Sequence, residues 1–127
     1  MDARLDVYQV LGLQPGDAHI VRNAGGVVTD DVIRSLAISQ RQLGTTEVIL
    51  VHHTDCGMQT ITDDGFKQAV EDEVGLRPPW PVAAFTDLAQ SLRDSIARIK
   101  SDPFLPRRDA VRGFIFDVAS GELSEVN

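Results

Sequence analysis

Glu47-Val48-Ile49-Leu50-Val51 runs directly into His52-His53-Thr54-Asp55-Cys56-Gly57, and the reading of this stretch decides the fold. A short run of almost purely apolar, β-branched residues is what a strand covered on both faces requires. The polar residues that follow gather imidazole, carboxylate and thiol groups at the end of that strand. On the amino-terminal side, Thr29 precedes two first-turn acids, Asp30 and Asp31, and Val32, Ile33, Leu36, Ala37 and Leu43 keep helical spacing up to Gly44. Further upstream, Ala18 to Arg22 is a β-prone run read as a short strand that enters a loop, Asn23-Ala24-Gly25-Gly26, and Leu5 to Leu11 reads as a short helix closed by Gly12.

Downstream, Asp63-Asp64 opens a helix that continues through Val70 and Val74 to Gly75. Pro78-Pro79-Trp80-Pro81 forbids helical continuation. Phe85, Leu88, Leu92, Ile96 and Ile99 then trace a long amphipathic helix that must end before Pro103. Arg112 to Val118 reads as a buried strand, and Ser120-Gly121 is a turn that makes Glu122 to Val126 its hairpin partner. Strands alternating with helices predict an α/β fold with a mainly parallel central sheet flanked by helices. The order begins at a helix where a βαβ unit begins with a strand, so a first strand is expected to be missing.

The 127 residues predict one domain spanning 1–127. Hydrophobic residues at 43%, charged residues at 24% and a mean hydropathy of -0.08 are those of a folded globular chain and not of a disordered one. The 12 Lys+Arg against 19 Asp+Glu give a net charge of -7, with no basic cluster to neutralise phosphates, which argues against nucleic acid and anionic membrane as partners. No apolar run approaches the length of a bilayer span, and the MDARLDV start lacks the character of a signal peptide, so a cytoplasmic location is expected.

Cys56 is the single cysteine, and without a disulfide partner it is a buried thiol, a nucleophile or a metal ligand. His53 and Cys56 stand at i and i+3, a spacing that lets an imidazole and a thiolate converge on one tetrahedral ion. Two ligands alone leave coincidence open, since lone cysteines are mostly inert core residues. A Cys-His nucleophilic pair is a further reading, although no orienting acid or oxyanion loop can be assigned to it. His52 points to the opposite face from His53 and is expected to be packed or hydrogen-bonded, and His19 to lie at a surface or interface. Asp2 and Arg4, read without context, are a solvated terminal pair.

Met1-Asp2-Ala3-Arg4-Leu5-Asp6, Arg22-Asn23-Ala24-Gly25-Gly26, the helix from Thr29 to Leu43, and His52 to Gly57 occur in an order that resembles the β-class carbonic anhydrases, especially the small actinobacterial members. Arg112 to Val118 followed by Gly121 resembles the family's last strand and turn. The resemblance implies reversible hydration of carbon dioxide to bicarbonate and a proton, a Zn2+ cofactor, and a homodimer or higher assembly. In the family, zinc is held by a cysteine in Cys-x-Asp-x-Arg and by the pair in His-x-x-Cys. His53 and Cys56 match the second motif, Asp2 and Arg4 match the carboxylate and guanidinium of the first, and Asp2 is the residue that can close the metal's fourth position. Arg4 is implied to hold Asp2 ionised and away from the metal, ready to accept a hydrogen bond from the activated water. The loop at Gly25-Gly26 is implied to lie close to the site, a plain turn being the alternative.

The first cysteine of the motif falls immediately before Met1, together with a strand that the family fold places between Ala18–Arg22 and Glu47–Val51. The expectation is that Met1 is an internal methionine and that an upstream extension ends in this strand and cysteine. Residues 1–127 without it are expected to be poorly stable, because two ladders are lost from the middle of the sheet. The competing expectation is a truncated homologue with a degenerate zinc site made of His53, Cys56 and Asp2. Such a chain would be non-catalytic and serve as an interaction or regulatory domain.

Overall fold

The computed structural model describes all 127 residues, and its elements begin where local chemistry starts and stops a helix. Helix α1 (Val7–Leu11) is capped by the Asp6 carboxylate, which accepts from the Gln9 amide, and ends at Gly12 in the left-handed region. Helix α2 (Asp30–Leu43) is capped by Thr29 and closed by Gly44 in the same way, and α3 (Asp63–Val74) lies between Thr62 and Gly75. Helix α4 (Leu88–Ser101) starts later than its apolar spacing suggests. Asp87 caps it by accepting from the Gln90 amide, so Phe85 falls in the preceding loop.

Three strands form one sheet in the order β1-β2-β3: β1 (Val48–His53), β2 (Val111–Phe116) and β3 (Leu123–Val126). β1 and β2 run parallel with Val48 opposite Val111 and His53 opposite Phe116, and β3 returns antiparallel as the hairpin partner. Ala18–Arg22 is not a strand. No strand lies alongside it to accept a ladder, and β-prone composition alone cannot satisfy its backbone. Between this extended segment and the unpaired edge of β1 lies a cleft of about 730 Å³, whose walls include Ile20, Val21, Val32, Leu36, Ile49 and Val51.

The core sits under α4. Leu92, Ile99 and Leu105 are fully buried and join Val28, Ile33, Val48, Leu50 and Val111 in one cluster. Gly113 lets the helix approach, because a methyl group there would lie 2.8 Å from Leu92 Cγ and 2.9 Å from Ile96 Cδ1. Val48, Leu50 and His52 are buried, while Ile49 is 46% exposed and Val51 half-buried, so alternate side chains of β1 have different surroundings. α3 contributes no buried residue. No helix is long and apolar enough to cross a membrane.

Candidate metal centre

The end of β1 is held by the sheet beyond its last paired residue. The Thr54 amide donates to the Phe116 carbonyl at 2.9 Å, and the Val118 amide donates to Thr54 Oγ1 at 3.0 Å. This fixes where His53 and Cys56 emerge. Cys56 is buried and unbridged, and the turn Gly57–Gln59 begins directly after it. His53 Nδ1 lies 2.7 Å from the Thr54 carbonyl oxygen. A carbonyl can only accept, so Nδ1 carries the proton and Nε2 of the neutral ring presents a lone pair. Orientation of a ligating imidazole by a carbonyl on its other nitrogen is a recurrent feature of metal sites.

Nε2 faces Asp2, whose Oδ2 lies 3.7 Å away, beyond hydrogen-bond reach. The carboxylate is instead taken up by Arg4. Arg4 Nε donates to Oδ1 at 2.9 Å, Nη2 to Oδ2 at 2.8 Å, and the Arg4 backbone amide to Oδ1 at 2.8 Å. These bonds, the side-chain ones first, hold the Asp2 carboxyl well below the usual carboxylate range, and Arg4 is raised correspondingly by Asp2 and then Asp55. Asp2 is therefore ionised and aimed at the imidazole without bonding it.

Arg22 fastens the segment that carries this pair. Its Nη1 donates to the Leu5 carbonyl at 2.9 Å and its Nη2 to the Asp2 carbonyl at 2.6 Å. The Met1 amine donates to the Asn23 carbonyl at 2.6 Å. Gly25 and Gly26, both at positive φ, bring the adjoining turn against the site. A Cβ at Gly26 would lie 2.9 Å from the Val51 carbonyl oxygen, and one at Gly25 would lie 3.1 Å from Met58 Cγ. This close approach of backbone to strand is what glycine permits and other residues do not.

His52 lies away from the centre. It is 1% exposed, its ring meets Phe85 edge-on at 5.3 Å between centroids, and neither ring nitrogen has a hydrogen-bond partner. Burial first, with a smaller effect of His53, pushes its pKa down to about 4, so the ring is neutral. His19 is at the surface, bonded through Nδ1 to Ser39 Oγ at 2.7 Å. Two residues that lie within the quoted motifs but were given no role there, Asp55 and Arg22, contact the Asp2 and Arg4 pair directly. Their partners lie 51 and about 20 positions away in the chain, and no local pattern signals such contacts.

The donors present are a buried thiol, an imidazole nitrogen with a free lone pair and a carboxylate held beside it. Thiolate and imidazole are the ligands that tetrahedral zinc takes, so the chemistry of the set fits that ion. No three His, Cys, Asp or Glu side chains close around a single point, because Asp2 is turned to Arg4. The residues present thus form a partial ligand set.

Fold and site define an α/β protein with a thiol and imidazole pair at the carboxyl end of a parallel strand, faced by an arginine-held carboxylate. The family model for carbonic anhydrase matches residues 1–80. The chain is 60% identical over 126 residues to β-carbonic anhydrase 1 of Mycobacterium tuberculosis, covering 99% of this chain and 77% of that protein. It is 34% identical over 147 residues to a carbon disulfide hydrolase of Saccharolobus solfataricus, covering 97% and 72%. The crystal structure of carbonic anhydrase from Streptococcus mutans superposes with a TM-score of 0.93 at 48% identity, over all of this chain and 77% of that one. The chain belongs to the β-carbonic anhydrase family.

Proposed function

We propose that this protein is a zinc-dependent carbonate dehydratase that interconverts carbon dioxide and bicarbonate. The observation that carries the reading is His53, whose Nδ1 is committed to the Thr54 carbonyl and whose Nε2 lone pair faces a carboxylate kept ionised by Arg4. His53 and Cys56 hold the metal. Zinc, when bound, supplies the Lewis acidity that brings the ionisation of water toward the neutral range. Asp2 accepts a hydrogen bond from the reacting water, and Arg4 keeps that carboxylate charged and oriented.

The third metal ligand in this reading is a cysteine carried by a strand seated between Ala18–Arg22 and the open edge of β1. The cleft at that position supports the placement. Asp2, released from Arg4, is the donor that closes the site. The working form is a cytoplasmic homodimer or higher assembly. Identity of 60% to a carbonic anhydrase against 34% to a carbon disulfide hydrolase favours carbon dioxide as the substrate.

The test is zinc per chain by elemental analysis on protein of verified mass, with stopped-flow hydration of carbon dioxide and hydrolysis of carbon disulfide on the same sample. One zinc per chain with carbon dioxide hydration is the expected result. Stoichiometric zinc without hydration overturns the proposed activity. Turnover without zinc that alkylation of Cys56 abolishes points to thiol chemistry instead.

A further inference from the structure

Asp2 does not hold Arg4 alone. Arg4 Nη1 donates to Asp55 Oδ2 at 2.9 Å and Nη2 donates to the Asp55 main-chain carbonyl at 3.0 Å, so one residue grips two nitrogens of the guanidinium with two different acceptors. Nε and Nη2 bond Asp2 on the adjoining edge. Asp55 adopts a φ of 53°, one of only two non-glycine residues in the left-handed region, and it stands between the two expected metal ligands, His53 and Cys56. Left-handed backbone at a non-glycine residue is a signal of function when the contacts it permits are specific. Here one carboxylate oxygen and the main-chain carbonyl oxygen of Asp55 converge on one planar group, which fixes its orientation as well as its distance.

We propose that Asp55 is a positioning residue that fixes the Arg4 and Asp2 pair beside His53. This role rests on the function proposed above. The Asp55 side chain is 80% exposed, and ion pairs so exposed add little to stability, so what the contact supplies is placement. Arg22 fastens only the backbone of the segment, through the Leu5 and Asp2 carbonyls. The Arg4 side chain is tied to the end of β1 through Asp55, and with it the 3.7 Å separation between the Asp2 carboxylate and His53 Nε2.

The test compares wild type with Asp55→Gly, which keeps the left-handed backbone and deletes the carboxylate, and with Asp55→Asn, which keeps the backbone and a neutral acceptor. Arg4 Nη resonances of 15N-labelled, zinc-free protein report the contact, because they are resolved only while rotation about Cζ–Nη is arrested. Kinetics of the zinc-loaded protein report the consequence. Asp55→Gly is expected to merge the Arg4 Nη signals and to lower kcat/KM for carbon dioxide about tenfold, mainly through kcat, as loss of an outer-shell partner commonly does. Asp55→Asn should fall between it and wild type, and it supplies the same readings if the glycine variant does not fold. In an Arg4→Ala background either substitution should cost nothing further. Unchanged Arg4 signals, unchanged kcat/KM, or a tenfold loss that persists without Arg4 would overturn the role. A wild-type protein with resolved Arg4 signals, stoichiometric zinc and no hydration overturns the proposed activity while leaving the contact established.

Discussion

At the scale of single residues, the centre separates two neighbouring histidines by environment. His53 is oriented by a carbonyl and faces a carboxylate, whereas His52 is sealed against Phe85 without a partner for either nitrogen. The consequence for stability has a definite sign. Unfolded His52 takes up a proton below about pH 6.5, while the folded ring does so only near pH 4. Stability is therefore complete above about pH 6.5 and falls as the pH drops toward 4, by up to about 3 kcal/mol. Thermal melts between pH 7 and 4.5 should show this loss, and His52→Phe should flatten it. On the other face of the strand, Cys56→Ser and His53→Ala are each expected to abolish stoichiometric zinc in elemental analysis. Asp2→Asn should retain zinc and lower carbon dioxide hydration by about 10²-fold, the scale of a lost proton acceptor. Retained zinc in Cys56→Ser would remove the thiol from the ligand set. His53 and Cys56 were visible from a four-residue spacing, while Asp2 and Arg4 acquired meaning only through the ordered motifs around them. Asp55 and Arg22 were not legible, since guanidinium contacts that join distant segments leave no periodic trace.

At the scale of elements, the strongest coupling is between α4 and the sheet at Gly113. A methyl group there would press on Leu92 and Ile96, in the most completely buried part of the molecule. Gly113→Ala is expected to cost about 1–3 kcal/mol through overpacking, measured by denaturant unfolding. Gly26→Ala meets a harder obstacle, because the Val51 carbonyl 2.9 Å from the added carbon is backbone and φ is +62°. It should displace the turn from β1 and reduce hydration together with stability. The helices were legible because caps and apolar spacing are local: Thr29 to Gly44 and Thr62 to Gly75 each carry their own start and stop. The exception at the start of α4 is instructive. Phe85 continues the apolar spacing backward, yet Asp87 captures the Gln90 amide and starts the helix at Leu88, three residues later than the spacing implies. Ala18–Arg22 failed as a strand for the opposite reason, since a ladder is a property of two segments and β propensity reports on only one.

At the scale of the whole molecule, β1 is hydrogen-bonded on one side only, and its other edge borders the cleft. An unpaired, apolar edge is a template for another strand. The 127-residue chain is accordingly expected to self-associate in a concentration-dependent way, seen by sedimentation velocity. Ile49→Lys, which places a charge on this half-exposed edge, should shift the distribution toward monomer. A distribution that Ile49→Lys leaves unchanged would place the association elsewhere, α3 with its exposed Phe66 and Val74 being the other apolar surface. The α/β class and the parallel pairing of β1 with β2 were legible in the alternation of strand and helix patterns, and the open edge of β1 lies where the family resemblance put the missing strand.

The ties at the end of β1 also settle which histidine faces the Asp2 carboxylate. His52 and His53 are adjacent, so a slip of one residue in the pairing of β1 with β2 would carry His53 into the dry pocket against Phe85 and turn His52 outward in its place. Both alignments offer an imidazole to the side of Asp2, and neither is excluded by the composition of the strand. What distinguishes them is Thr54, bonded through its amide to Phe116 and through its hydroxyl to the Val118 amide. A single threonine thus acts as the detent of the strand, and which imidazole stands beside Asp2 is set by where the sheet stops sliding.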